Sequence, residues 1–346
     1  MANSSSYGLV KKGGRLNLKD LRNKKDGYNK NLVFIFVASF LAALLIAYMA
    51  FIYFNTQARI KRLVGDGEYP EAIQQINSIL KENPQDLFGL KYKGMIYLKL
   101  ALNQDMLSLD ESKTLEYSIK SLNQVLKSGN KEYSQSDTYF FLGLDYFLMG
   151  DQYFEESLKC LEKALELDRK DHLVKKYLKE NGLRLRFNSR LYSITLYGLT
   201  GYVAFSLERY HLASSYFEKA VQEEGSVVIY HLYLALAYRQ QGIYDKALEG
   251  LEIVLHREKK KDIVEQAYLT MADIYTSKKE YSQAEKYIKL AQELSSSADS
   301  YYLLGLIYET RGQIATAVKH WRKTLSLDGD HDLARKKLVR YGKKYK

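Results

Sequence analysis

The side chains able to do chemistry are few and scattered. Six histidines stand at positions 172, 211, 231, 256, 320 and 331, with a single cysteine, Cys160. A zinc site needs ligands brought onto one face, as in HExxH, and no such spacing links these residues to one another or to Cys160. The chain also lacks GxSxG, CxxC and a glycine loop that could cradle phosphate. Glu155-Glu156 and Glu223-Glu224 offer the paired carboxylates of acid–base catalysis, but they fall in helical patterns whose outer faces must be polar, and read as solvated charge. Cys160, beside Leu161, reads as a partly buried apolar residue, and one cysteine excludes an internal disulfide framework. The sequence thus assigns no catalytic residue, no cofactor and no metal, and leaves binding by a surface.

The elements that would carry such a surface repeat. In the stretch from Val228 to Lys261, Tyr230, Leu234, Ala235 and Tyr238 recur at helical spacing, Gly242 and Tyr244 mark a turn, and Ala247, Leu251 and Val254 recur at helical spacing again. This predicts a helical hairpin crossing at Ala235 and Ala247, small residues that let two helices approach. The pattern returns in Tyr268, Met271, Ala272, Tyr275 and Ala284, in Tyr301, Leu304, Gly305, Tyr308 and Ala317, and earlier in Tyr197, Gly201, Ala204, Tyr210 and Ala213. Gly201 and Ala235 are 34 residues apart, Ala235 and Ala272 37, and Ala272 and Gly305 33. With only two prolines and no alternating β-branched runs, the fold class is all-α.

Period, residue size and position together resemble the tetratricopeptide repeat (TPR) family. The resemblance implies a right-handed solenoid of helical hairpins, each burying its outer faces against its neighbours. It also implies a concave groove lined by first helices, and the family register puts Phe140, Leu144, Phe147, Tyr202, Phe205, Leu232, Leu236, Arg239, Leu269, Asp273, Tyr302, Leu306 and Glu309 there. The alternative is that these residues pack the superhelix itself or an extra helix around Leu173 to Leu178. The subfamily that clamps carboxylate tails uses a Lys and Asn pair; here Lys91 is followed by Met95, so an extended peptide or partner helix fits the groove better.

Ahead of the repeats, residues 1–31 are polar and basic and are expected to be a disordered tail. Residues 32–54 contain no charge, and at 1.5 Å per residue span about 34 Å, enough for the ~30 Å hydrocarbon layer. An uncleaved transmembrane helix is expected, since a signal peptide has a shorter apolar core and a soluble helix would show a polar stripe. Eight basic residues precede it and Arg59, Lys61 and Arg62 follow, which orients the N-terminus to the cytoplasm and the repeats to the far side.

Residues 58–185 are expected to form N-terminal TPR-like units. The first is degenerate, broken at Gly65 and Gly67 with Pro70 starting a helix; the second carries an insert near 103–113; an extra helix lies near 171–180, and a bend there makes a soft boundary. Four regular units occupy 194–331, and 332–346 forms a basic capping helix or tail with Leu333, Leu338 and Tyr341 on one face. The net charge of +11 sits at the ends: residues 1–31 carry eight Lys/Arg against two Asp, residues 332–346 seven against one, so the rest sums to −1. No continuous phosphate track exists, and nucleic acid is not expected as a partner. The basic end has three open roles: contact with an anionic lipid surface or phosphate polymer at about 1 kcal/mol per charge, an acidic partner, or solubility.

The layout resembles periplasmic TPR adaptors of the bacterial inner membrane, among them translocon, cytochrome-maturation and pilus-assembly helpers and spirochaete flagellar-collar scaffolds. The expectation is a non-enzymatic scaffold that assembles an envelope complex by protein–protein interaction. Two alternatives stay open: a cytosol-facing import receptor on an organelle, and a regulatory subunit of an envelope-synthesis enzyme.

Overall fold

The structure, a computed structural model, describes residues 18–102, 111–181, 184–187 and 190–341. The chain falls into two compact units, Met1–Ser78 and Ile79–Lys346.

The first unit is dominated by α1 (Leu18–Asp66), a single helix of 49 residues. The expected disorder of residues 1–31 is therefore corrected from Leu18 onward. Helix nucleation is the costly step, and polar residues that continue an established helix add one hydrogen bond each. Residues 32–49 of α1 stand exposed, and the helix is long and apolar enough by length and composition to cross a membrane. It runs on without a break to the buried Ile60, Leu63 and Val64. Gly65, expected to interrupt the chain, lies inside α1; the turn is made at Gly67, whose φ of 82° is open to glycine. Pro70 is then the second residue of α2 (Tyr69–Glu82), where its missing N–H costs nothing.

The second unit stacks hairpins, numbered from two because the turn between α1 and α2 precedes them: α3 (Leu87–Leu102) with α4 (Glu111–Lys127) as the second, α5 (Ser136–Leu148) with α6 (Phe154–Asp171) as the third, and α8 (Leu196–Ser206) with α9 (Tyr210–Glu224) as the fourth. Three more follow: α10 (Val228–Gln240) with α11 (Tyr244–Arg257), α12 (Lys261–Ser277) with α13 (Tyr281–Leu294), and α14 (Ala298–Thr310) with α15 (Ile314–Leu327). Four of the six close by one rule. A glycine on the first helix makes room for a large side chain on the second: Gly94 for Leu122, Gly143 for Leu161, Gly201 for Phe217 and Gly305 for Trp321. Each large partner is buried, which is the main favourable term in closing the hairpin. Gly94 and Leu122 are 28 residues apart where Gly201 and Phe217 are 16 apart, the signature of the insert; residues 103–110 themselves lie outside the described residues.

The turns repeat as well. Glu208, Gly242, Lys279 and Gly312 all take a left-handed φ, between 58° and 76°, where a side chain other than glycine is strained. Lys279 is exposed, so Lys279→Gly is expected to raise stability by about 0.5–1 kcal/mol in a denaturant melt, the relief of strain exceeding the added freedom of the unfolded chain.

Between the third and fourth hairpins the chain makes α7 (Leu173–Asn181) and then two antiparallel strands, β1 (Arg184–Phe187) and β2 (Arg190–Ser193), pairing Leu185 with Tyr192 and Arg186 with Leu191. The fold class is all-α as expected, and this short strand pair lies in the segment expected to bend. Packing continues across that segment. A single apolar cluster runs from Leu98 through Phe141, Leu161, Leu199 and Phe217 to Ile274, and Arg209 donates to both oxygens of Glu155 at 2.8 and 3.0 Å. The last helix, α16 (Asp332–Tyr341), buries Ala334 and rests Leu338 and Tyr341 against Trp321, but Leu333, expected on that face, is exposed. Residues 342–346 lie outside the described residues.

Candidate functional site

The first-helix face divides into three kinds of residue. Phe140, Leu144 and Leu232 are wholly enclosed, and Leu236 nearly so. Phe140 is covered by α7, whose Tyr177 ring stands 6.2 Å from it and edge-on to Phe141 at 4.9 Å, with the Lys99 ammonium over that same ring. These enclosed side chains present no surface to a ligand.

Half-buried aromatics form the second kind. Phe147 meets Tyr202 edge-on at 5.9 Å across the third and fourth hairpins, Tyr202 meets Tyr233 at 5.2 Å across the fourth and fifth, and Phe205 meets Tyr233 at 5.6 Å. The structure thus brings Phe147, Tyr202 and Phe205 into one aromatic ladder, each contact worth about 0.5–1.5 kcal/mol beyond burial. Leu269 belongs to a separate cluster with Ile288 and Ile307, and Tyr302 and Leu306 to the cluster around Trp321.

Charged residues are the third kind, and they are spoken for. Arg239 Nε lies 2.5 Å from Asp273 Oδ2, linking the fifth and sixth hairpins, and Glu309 accepts from Lys337 of α16. Both pairs are about three-quarters buried, so removing one partner would strand the other.

Sequence reasoning passed over a concavity at the seam. A cleft of about 650 Å³ opens between the end of α6, α7, the start of α8 and the end of α9. Its floor is apolar, with Leu165, Leu178, Ile194, Leu196 and Tyr197; exposed Arg169, Lys175 and Lys179 stand on one side and Glu223 and Glu224 on the other. Partial burial raises the Glu223 carboxyl above its usual range, with Lys175 opposing. None of these five charged residues forms an ion pair among the described residues. The signal available in the sequence was the surplus of chain between the third and fourth repeats, with Leu185 and Phe187 alternating with arginines before Asn188-Ser189.

The reactive residue types have structural employment. Burial pushes the Cys160 thiol up to about 11, which keeps it protonated and a poor nucleophile. Burial between Tyr301 and Tyr308 lowers His320, and His331 Nδ1 accepts from the Ala334 N–H at the start of α16. Among the described residues no three His, Cys, Asp or Glu side chains converge to hold a metal ion.

Comparison with known proteins agrees with this architecture. Tetratricopeptide-repeat family models match residues 136–171, 199–259, 265–297 and 298–331. Among solved structures, the C-terminal part of a TPR repeat-containing protein from Cytophaga hutchinsonii is 17% identical, with 82% of this chain and 99% of that one covered at a TM-score of 0.50. A tetratricopeptide repeat protein from Parabacteroides merdae is 15% identical, covering 83% and 97% at a TM-score of 0.45, and a MamA protein is 18% identical, covering 60% and 94% at 0.41. At such identities the likeness to the first speaks to fold alone, and the other two carry no argument. No curated protein matches the sequence. Hairpins that close a small residue over a large one at the family's period, recognised by the family's own models over residues 136–171, 199–259 and 265–331, make this chain a tetratricopeptide-repeat protein, of a fold that serves as a protein-interaction scaffold.

Proposed function

We propose that the chain is a non-enzymatic scaffold, anchored in a bacterial inner membrane by residues 32–54, with its N-terminus in the cytoplasm and its repeats gathering partner proteins on the far side. The observation that carries this reading is the unbroken run of exposed, uncharged side chains over residues 32–49 of α1. In water such a surface would cost roughly 25 cal/mol per Å² of apolar area, and a bilayer removes that cost. The basic residues ahead of the span support the orientation. A partner polypeptide would seat in the seam cleft, where an apolar floor lies between a basic and an acidic rim, an arrangement that fixes the direction of a bound segment.

Accessibility tests the topology. In the full chain with Cys160→Ala, Lys259→Cys on the exposed end of the fifth hairpin is expected to react with a membrane-impermeant maleimide in cells whose inner membrane is intact, and Lys12→Cys is not. The opposite pattern would establish the cytosol-facing arrangement and overturn the orientation. Recovery of the intact chain in the soluble fraction would overturn the anchor.

A further inference from the structure

The crossing of the second hairpin contains more hydrogen bonds than an ionised aspartate can supply hydrogens for. Ser118 Oγ of α4 lies 2.9 Å from the Gly94 carbonyl of α3 and 2.6 Å from Oδ2 of Asp145 on α5. A hydroxyl has one hydrogen, a carbonyl none and a carboxylate none, so one of the two contacts lacks a proton unless Asp145 brings it. The third hairpin supplies the comparison. Ser157, placed four residues before Leu161 as Ser118 is before Leu122, gives its hydrogen to the Gly143 carbonyl at 2.7 Å. With the same assignment in the second hairpin, Ser118 donates to Gly94, and its oxygen is left to accept from the carboxyl.

The surroundings agree. Asp145 is wholly buried, its Oδ1 has no hydrogen-bond partner, and it takes part in no ion pair among the described residues. On α4 it meets the Ser118 hydroxyl, which in turn reaches the Gly94 carbonyl of α3, and neither group titrates. From α6 it is faced by the Cys160 thiol, with Glu156 and Lys159 acting on that thiol from beyond. Nothing there compensates a negative charge, and an unpaired buried carboxylate is far more costly than a neutral acid.

We propose that Asp145 is a neutral carboxylic acid in the folded protein, donating Oδ2–H to Ser118, and that its ionisation is a pH-sensitive release of the joint between the second and third hairpins. Deprotonation would claim the only hydrogen of Ser118 for the carboxylate and strip it from the Gly94 carbonyl, setting a bare charge in the apolar cluster that joins α4, α5 and α6. Burial holds this carboxyl well above the usual value of 3.8. Its contribution is therefore complete below about pH 3.8 and is lost as pH rises through the folded-state value.

The full chain in detergent micelles tests this in two ways. Infrared difference spectra of the wild type minus Asp145→Asn at neutral pH are expected to show a protonated-carboxyl C=O band, and its absence overturns the proposal; if Asp145→Asn folds poorly, Ser118→Ala is expected to move that band to higher frequency, and an unmoved band overturns the proposal. Asn keeps a donor for Ser118 and cannot ionise. The melting temperature of Asp145→Asn minus that of the wild type is expected to widen from about pH 5 to about pH 9. A gap that stays constant or narrows with rising pH overturns the release.

Discussion

Trp321→Ala will unfold the α14–α15 hairpin and α16 while leaving the hairpins around Phe217 intact. Trp321 is fully buried, stacks on Tyr341 at 5.9 Å and lies under the Lys337 ammonium, and among the described residues its cluster holds Ala317, Val318 and Ala334 as other buried members. Removing an indole from such a site costs about 3–5 kcal/mol, and so small a cluster has little else to hold it. Stability in a repeat array is a sum of hairpin and neighbour terms, so the loss stays local. Hydrogen exchange should show amides of α14, α15 and α16 losing protection while those of α8 to α11 keep theirs. Loss of protection throughout would mean that the array folds as one cooperative block. Trp321→Phe should cost less, because the indole N–H has no hydrogen-bond partner among the described residues and its removal relieves a buried, unsatisfied donor.

Gly198→Ala opposes two effects of different size. Alanine in place of glycine inside a helix is ordinarily worth about 1 kcal/mol in its favour. Here the new Cβ would stand 2.4 to 2.7 Å from three atoms of the Tyr230 ring and hydroxyl. The ring cannot give way cheaply: Tyr230 is buried, and its hydroxyl accepts from the Thr195 N–H at 2.8 Å, at the cap of α8. Displacing it overpacks the core, at about 1–3 kcal/mol, and leaves a buried backbone donor unpaired, at about 1–3 kcal/mol more. The net expectation is destabilisation by about 1–5 kcal/mol, measured as a lowered midpoint in denaturant. A variant as stable as the wild type would show that α8 and α10 can slide apart, and that the close approach at Gly198 is not a fixed feature of the seam.

Both effects trace to one pairing rule that was half visible beforehand. The small residue at each crossing and the period of the turns are written in Gly201, Ala235, Ala272 and Gly305, because a helix pair can approach closely only where one side chain is missing. The insert shows in the spacing of Gly94 and Leu122, and α7 in the apolar pattern of Leu173, Val174, Tyr177 and Leu178 ahead of Asn181. Gly198 opposite Tyr230 was not legible, since it joins neighbouring hairpins whose offset depends on an irregular segment between them. The alternative reading of Phe140, that it packs against an extra helix, matches its contact with Tyr177; nothing in the period of α5 says which neighbour covers it.

What the residues determined unaided was local and periodic: helical hairpins at the TPR spacing, a 23-residue apolar run and basic ends. Such features depend only on which side chains share a face of one helix, and that is set by 3.6 residues per turn. The tertiary structure decided the rest. It enclosed Phe140, Leu144 and Leu232, closed Arg239 on Asp273, opened the cleft between α6 and α9, and placed Asp145 where its charge has no partner. Each of these joins residues from different helices, and the desolvation and hydrogen count that govern them exist only once the helices have met.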